Sequence, residues 1–185
     1  MNDTSRAARM ACDLMALAAR TAPKARGADS LVIRIASGEE LQELAEAVRR
    51  AARREEDGFF ERDAGNIAGS EACLLIGVRG HEPAGADCGG CGYPDCVSMS
   101  RAVDGRKAGS TPYGSPNCAI KMIDLGVAIG SAVKTASLLN LDNRVMYTAG
   151  VGARALGWLP GCTVACGIPV ATSGKNPFFD RTWGR

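Results

Sequence analysis

Apolar residues recur at helical spacing from the start of the chain. Met10, Leu14, Leu17 and Ala18 form one stripe and predict a helix over 4–20. Thr4 or Ser5 can cap its start, and Pro23 ends it because proline cannot continue the hydrogen-bond ladder. Residues 31–36 (LVIRIA) carry β-branched side chains without a breaker and predict a strand. A second helix is expected over 39–55, with Leu41, Leu44, Ala45 and Val48 on its apolar stripe. The charge run at 49–57 reads as a solvated face with cations near the helix C-terminus, or else as a partner-docking patch. Residues 59–70 show no clear period and read as irregular. Residues 73–78 (CLLIGV) are apolar throughout, which suits a strand buried on both faces.

The character changes after Val78. Residues 80–117 are rich in Gly, Pro, Cys and Ser, with at most a helical turn at 97–103. This stretch reads as a loop-rich insert that needs more than a hydrophobic core to hold it. Residues 118–139 form the longest helix candidate, with Ile120, Ile123, Val127, Ala128 and Ile129 among small residues. Gly126 and Gly130 each cost a helix about 1 kcal/mol against alanine, so close packing is expected there. A short strand is expected at 143–148, a short helix at 151–156 and a second buried strand at 162–170. The tail, 173–185, has no period. The order of elements suits an α/β or α+β layered domain.

A length of 185 residues fits one domain over 1–185, interrupted by an insert at 80–118. Lys and Arg total 22 against 20 Asp and Glu, so a dedicated nucleic-acid binder is not expected. A single histidine, His81, argues against a histidine-rich metal site or a Ser-His-Asp triad. The N-terminal stretch carries Asp3, Arg6, Arg9 and Asp13 and lacks the apolar run of a signal peptide. The longest mostly apolar helical run, 125–133, falls short of the ~20 residues that span a bilayer, so no membrane association is expected. The expected location is cytoplasmic, where eight cysteines point to a metal or redox site rather than a disulfide framework.

Cys88, Cys91 and Cys96 are spaced C-x2-C-x4-C, and Cys118 follows at the start of the long helix. Four thiolates complete a [4Fe–4S] cluster. Gly89, Gly90 and Gly92 let the chain wrap tightly and leave N–H groups free to face sulfide. Zinc is the competing metal, though structural zinc sites usually show two separated Cys pairs. Asp87 and Asp95 would lower a cluster's potential; Arg101, Arg106 and Lys107 would raise it. Cys162 and Cys166, four apart on one strand face, read as buried small hydrophobes or as a second metal or redox pair. Cys12 and Cys73 read as core thiols, and His81 as an incidental loop residue.

The segment DCGGCGYPDC with Cys118 downstream resembles the small four-cysteine cluster domain of Rnf-type electron-transport complexes and acetyl-CoA synthase systems. That resemblance implies a [4Fe–4S] cluster on Cys88, Cys91, Cys96 and Cys118, the last after a longer gap than is usual. Five further blocks extend a likeness over nearly the whole chain: ARTAPKARGAD at 19–29, FFERDAGNI at 59–67, NCAIKMIDLGVAIGSAVKTAS at 117–137, LNLDNRVMY at 139–147 and SGKNPFFDR at 173–181. They resemble a bacterial and archaeal family of unknown function that contains a ferredoxin domain. Residues 21–47, 124–141 and 166–170 are similar to nitroreductase-family flavoproteins. That likeness implies FMN at a homodimer interface, electron transfer to small acceptors and a flavin-dependent oxidoreductase activity. The family's Asn-x-Gln-Pro-Trp stretch is absent after Pro23, and its Arg-rich opening is reduced to Arg6 and Arg9.

A flavin phosphate needs cations or helix N-termini, and Lys24, Arg26 and Lys175 stand in Gly-containing loops that could supply them. Asp63, Asp124 and Asp180 are expected in ion pairs or caps, and Phe59, Phe60, Phe178 and Phe179 in a core cluster. The expected fold is α+β, a nitroreductase-like helix/sheet layered domain with a loop-rich ferredoxin-type cluster insert. The expected function is an iron–sulfur redox protein that exchanges electrons through a [4Fe–4S] cluster with a bound flavin, a small redox substrate or a donor or acceptor protein. The alternatives are a cluster-only carrier, a subunit of a redox complex, or a structural metal module. No acid–base pair stands out, so the catalytic residues are not assigned.

Overall fold

The computed structural model describes residues 3–52, 58–104 and 111–179. Among these, four strands form one sheet: β1 (Leu31–Ser37), β2 (Ala72–Val78), β3 (Asp142–Asn143) and β4 (Val164–Ala171). Their order is β1-β2-β4-β3, and every neighbouring pair is antiparallel. Leu31 pairs with Val78 and Ser37 with Ala72, while Ala72 pairs with Val170. The central strand β2 is buried along its whole length, which explains its unbroken apolar run.

Two helix layers cover the sheet. On one face α1 (Asp3–Thr21) lies beside α5 (Ala119–Leu138), where Cys12, Met15, Leu125 and Ala128 meet Leu74, Ile76 and Ile168. On the other, α2 (Glu39–Ala51), α3 (Gly58–Ala68) and α6 (Tyr147–Ala155) set Leu44, Val48, Phe60, Ile67 and Val151 against Cys73 and Leu75. Strand side chains alternate between faces, so successive residues of β2 feed both cores. Helix α4 (Cys96–Asp104) lies in the loop-rich stretch between β2 and α5.

Several expectations are corrected. Residues 59–70 are largely helical, not irregular, because Phe60, Asp63, Ala64 and Ile67 are buried at helical spacing. The polar Asp63 hid that stripe; its Oδ2 accepts a bond of 2.8 Å from the Thr148 hydroxyl. The strand expected at 143–148 is only Asp142–Asn143 plus a bridge from Met146 to Gly167, and the following helix begins early, at Tyr147. Gly150 and Gly152 lie where α6 packs closely on its neighbours. A Cβ at Gly150 would lie 1.9 Å from the Ala165 carbonyl oxygen. At Gly126 and Gly130, by contrast, an added Cβ would meet no described atom within 4 Å apart from the backbone of α5 and the adjoining residues, so the close packing expected there is not found. Helix α2 ends at Ala51, and 53–57 lie outside the described residues.

The cysteines and aromatics also sort differently. Cys162 precedes β4, its N–H donating to the Leu159 carbonyl, and its sulfur fills the space over Gly77. Phe60 and Phe178 are core residues, but Phe59 and Phe179 are exposed, with Phe179 under the Arg144 guanidinium. Asp180 lies outside the described residues.

Candidate metal centre

The chain leaves β2 at Val78 and re-enters the layers at α5. The segment between them brings Cys88, Cys91, Cys96 and Cys118 to the wall of one small cavity. Asp87, Gly89, Tyr93 and Asp95 complete its loop side; Met99, fully buried, and Ile120 lie behind. Cys88 is exposed, Cys91 and Cys96 are half-buried, and Cys118 is buried. Among the described residues, no Lys, Arg or His lines this cavity.

The local folding has identifiable causes. Gly89 and Gly92 have φ of +68° and +86°, and the Gly92 N–H closes a turn on the Gly89 carbonyl at 2.9 Å. Asp87 accepts from the Cys96 N–H at 2.8 Å and so ties the two ends of the cysteine loop together. Asp95 caps α4: its Oδ1 accepts from the Ser98 N–H at 2.6 Å. That bond, together with the Ser98 side chain, holds the Asp95 carboxyl below the ordinary carboxylate range. Cys96 thus opens α4 and Cys118 is the N-cap residue of α5, so two helix N-termini present partial positive charge to one cavity.

A polar latch holds the segment to the sheet. The Cys118 N–H donates to the Gly80 carbonyl at 2.8 Å, and the Gly80 N–H donates to the Thr163 hydroxyl at 3.0 Å. The Thr163 hydroxyl donates in turn to Asn117 Oδ1 at 2.5 Å. A Cβ at Gly80 would lie 2.4 Å from that Asn117 oxygen, so only glycine fits.

The donor set suits an iron–sulfur cluster: four thiols, apolar backing and two helix N-termini. Each thiolate of a [4Fe–4S] cluster binds a different iron, so the four need not converge on one ion. Among the described residues, no group of three or more His, Cys, Asp or Glu side chains is arranged to hold a metal ion.

The three cations proposed for a flavin phosphate are not brought together. Lys24 caps the C-terminus of α1, its ammonium donating to the carbonyls of Ala19, Arg20 and Ala22 at 2.6–3.2 Å. Arg26 Nη1 donates to the carbonyls of Ala84 and Gly85, at 3.3 and 3.0 Å. Lys175 follows β4 at the other end of the sheet, separated from Lys24 by strands about 20 Å long. Asp124, expected in an ion pair or cap, pairs with a residue sequence reasoning missed, Lys121; the two are 4% and 3% exposed and 3.9 Å apart on α5. Asp124 Oδ1 accepts from the Ala25 N–H at 2.9 Å, and Lys121 donates to the Ala28 carbonyl at 3.1 Å. Among the described residues, Asp124 Oδ2 has no hydrogen-bond partner. Their signal was two charges three residues apart inside an otherwise apolar helix pattern.

Cys12, Cys73 and Cys162 are thiols of the core, and Cys166 is half-buried. Burial pushes Cys12 up to about 12 and raises Cys73 still further. Burial also raises Cys166, against a smaller opposing effect from Tyr113, whose hydroxyl stands 3.9 Å from its sulfur.

The sheet and its two helix layers have a nitroreductase-like fold. A nitroreductase with bound FMN from Desulfitobacterium hafniense DCB-2 superposes with a TM-score of 0.57 at 15% identity, covering 90% of this chain and 78% of that one. A nitroreductase-like family protein from Bacillus cereus gives 0.57 at 10% identity, covering 95% and 79%. At such identities the likeness is one of fold. A protein from Archaeoglobus fulgidus is 40% identical over 173 residues, which are 94% of this chain and 91% of that protein. The family model described as "Uncharacterized protein containing a ferredoxin domain (DUF2148)" matches residues 114–181, and the chain belongs to that family. Over 96 residues the chain is also 31% identical to one subunit of the Na(+)-translocating ferredoxin:NAD(+) oxidoreductase complex of Acetobacterium woodii. That match covers 44% of this chain and 29% of the Acetobacterium protein.

Proposed function

We propose that the protein is an electron-transfer protein that holds a [4Fe–4S] cluster on Cys88, Cys91, Cys96 and Cys118 within an insert at 80–118 of a single layered domain. The observation that carries this reading is the meeting of Cys118 with the closely spaced thiols of Cys88, Cys91 and Cys96 on one cavity wall. When bound, the cluster supplies a one-electron relay. The chain's own residues do the rest. Asp87 and Asp95 hold the loop in shape, Met99 and Ile120 exclude water from behind, and the N-termini of α4 and α5 favour negative charge. The exposed Cys88 marks the side on which a donor, an acceptor or a small redox substrate would approach.

FMN is the second cofactor of the reading. Its support is the fold shared with an FMN-bound nitroreductase. Lys24, Arg26 and Lys175 form no single phosphate cradle within one chain, so no step is derived through it. A homodimer belongs to the same reading. Met10, Leu14 and Leu17 of α1 and Ile123 and Val127 of α5 are exposed, and Gly126 and Gly130 leave room beside them for a second copy.

The test is a count of iron, sulfide and acid-released flavin on protein purified without oxygen. Four iron and four sulfide per chain, lost in Cys88→Ser and Cys118→Ser, support the cluster on these ligands. Zinc or no metal overturns it and leaves a structural module. Flavin near one per chain supports FMN; its absence leaves a cluster-only carrier or a subunit of a redox complex. Sedimentation decides the dimer: Ile123→Arg should convert it to a monomer, and a monomeric wild type removes it.

A further inference from the structure

We propose that Arg26 is a positioning residue for the cysteine loop, fastening its backbone at Ala84–Gly85 and setting a permanent positive charge beside the four-thiol cavity. The inference rests on the cluster reading above.

The geometry begins with an unfavourable backbone. Arg26 has φ 57° and ψ 17°, the left-handed region that a residue with a Cβ rarely adopts. It sits in a single 3-10 turn, Ala25–Gly27, whose two sides are pinned from α5. Asp124 accepts from the Ala25 N–H and Lys121 donates to the Ala28 carbonyl, and both side chains are buried. Two buried charges thus hold a strained turn in one place. What the turn gains is direction: the guanidinium reaches the cysteine segment, 58 and 59 residues away in sequence, and bridges two successive carbonyls there.

The contact point is close to the thiols. Ala84 itself lines the cavity, and Cys88 follows Gly85 by three residues. Gly85 has φ +73°, and a Cβ on it would stand 2.9 Å from Arg26 Nη1, so the loop is shaped to let the guanidinium in. A planar guanidinium stays charged at every working pH and can bond two carbonyls at once. Reduction adds an electron to an anionic cluster, so a nearby fixed cation stabilises the reduced form more than the oxidised one. Asp87 and Asp95, on the cavity wall, act in the opposite sense. Arg26 is a cation that offsets them.

The test compares wild type with Arg26→Gln, Arg26→Lys and Arg26→Gly, all purified without oxygen. Three quantities are read: iron and sulfide per chain, the reduced-to-oxidised ratio at fixed solution potential, and amide hydrogen exchange at 84–88. Arg26→Gln should lower the ratio about threefold, or about 28 mV for a one-electron couple. Arg26→Lys keeps the charge and should hold the ratio near wild type. Glycine suits the left-handed backbone, so Arg26→Gly should melt like wild type while exchange at 84–88 quickens. An unchanged ratio in Arg26→Gln overturns the electrostatic assignment, and unchanged exchange in Arg26→Gly overturns the clamp. Loss of flavin with ratio and exchange both unchanged returns Arg26 to a phosphate role and overturns the proposal. A wild type without iron defeats the cluster reading by itself, and the exchange measurement then decides the clamp alone.

Discussion

Replacing Thr163 with valine removes one hydroxyl and keeps the shape of the side chain. That hydroxyl joins Gly80 to Asn117: it accepts from the Gly80 N–H at 3.0 Å and donates to Asn117 Oδ1 at 2.5 Å. Two hydrogen bonds are lost, each worth about 0.5–1.5 kcal/mol net, so the segment should loosen by about 1–3 kcal/mol. The upper half of that range applies, because Gly80 is buried and its N–H is left without an acceptor. At about 2 kcal/mol the open form becomes roughly thirtyfold more populated. Gly80 also accepts the Cys118 N–H, so the opening reaches the candidate ligand set directly. The assay is amide exchange at Gly80 and Cys118, read with the rate of iron release to a chelator. Both should rise by an order of magnitude or more, while Thr163→Ser, which keeps the hydroxyl, should stay near wild type. Exchange at Cys118 unchanged in the valine variant would refute the latch as the element that seats α5 against the cysteine loop.

Further outcomes follow from other parts of the fold. Gly150→Ala drives a Cβ into the Ala165 carbonyl, so α6 must leave β4; a loss of more than about 3 kcal/mol is expected in urea unfolding. Cys12, pushed up to about 12 by burial, is roughly one part in ten thousand thiolate at pH 8. Iodoacetamide should therefore spare Cys12 and Cys73 in the folded chain and modify both in denaturant, as peptide mass mapping would show. Burial raises Asp29, but its bonds from Arg20 and the Leu31 N–H outweigh this and leave its pKa below the ordinary 3.8. Its stabilising contribution is thus complete above that value and is lost as pH falls through the lower folded pKa. The gap in urea midpoint between wild type and Asp29→Asn should shrink as pH drops from 5 to 3.

Much of the architecture could be read along the chain. The helical period of α1 was legible but its buried face was not: Met10, Leu14 and Leu17 are exposed, and Cys12, Met15 and Ala19 pack in the core instead. The β-branched run of β1 forms its strand, and the apolar run of β2 is buried throughout. Cys88, Cys91 and Cys96 stood out because close spacing is a local property. Residues 59–70 misled because Asp63, polar by type, turns inward to Thr148, a partner 85 residues away. The need for glycine at 150 is likewise nonlocal: what approaches Gly150 is the backbone of β4, which the local sequence does not reveal.

The sequence by itself determined the helix and strand periods, the cysteine spacing and the absence of a histidine-rich site, since each depends on neighbours along the chain. Only the tertiary structure decided which charges are already engaged. Lys24 and Arg26 look like free loop cations in sequence, but folding brings the carbonyls at the end of α1 to one and those of Ala84 and Gly85 to the other. It likewise set the buried Lys121 and Asp124 against the Ala25–Gly27 turn, nearly a hundred residues away in sequence. A hydrogen bond forms only within about 3.5 Å, and such proximity between distant residues comes from packing the layers, not from local spacing.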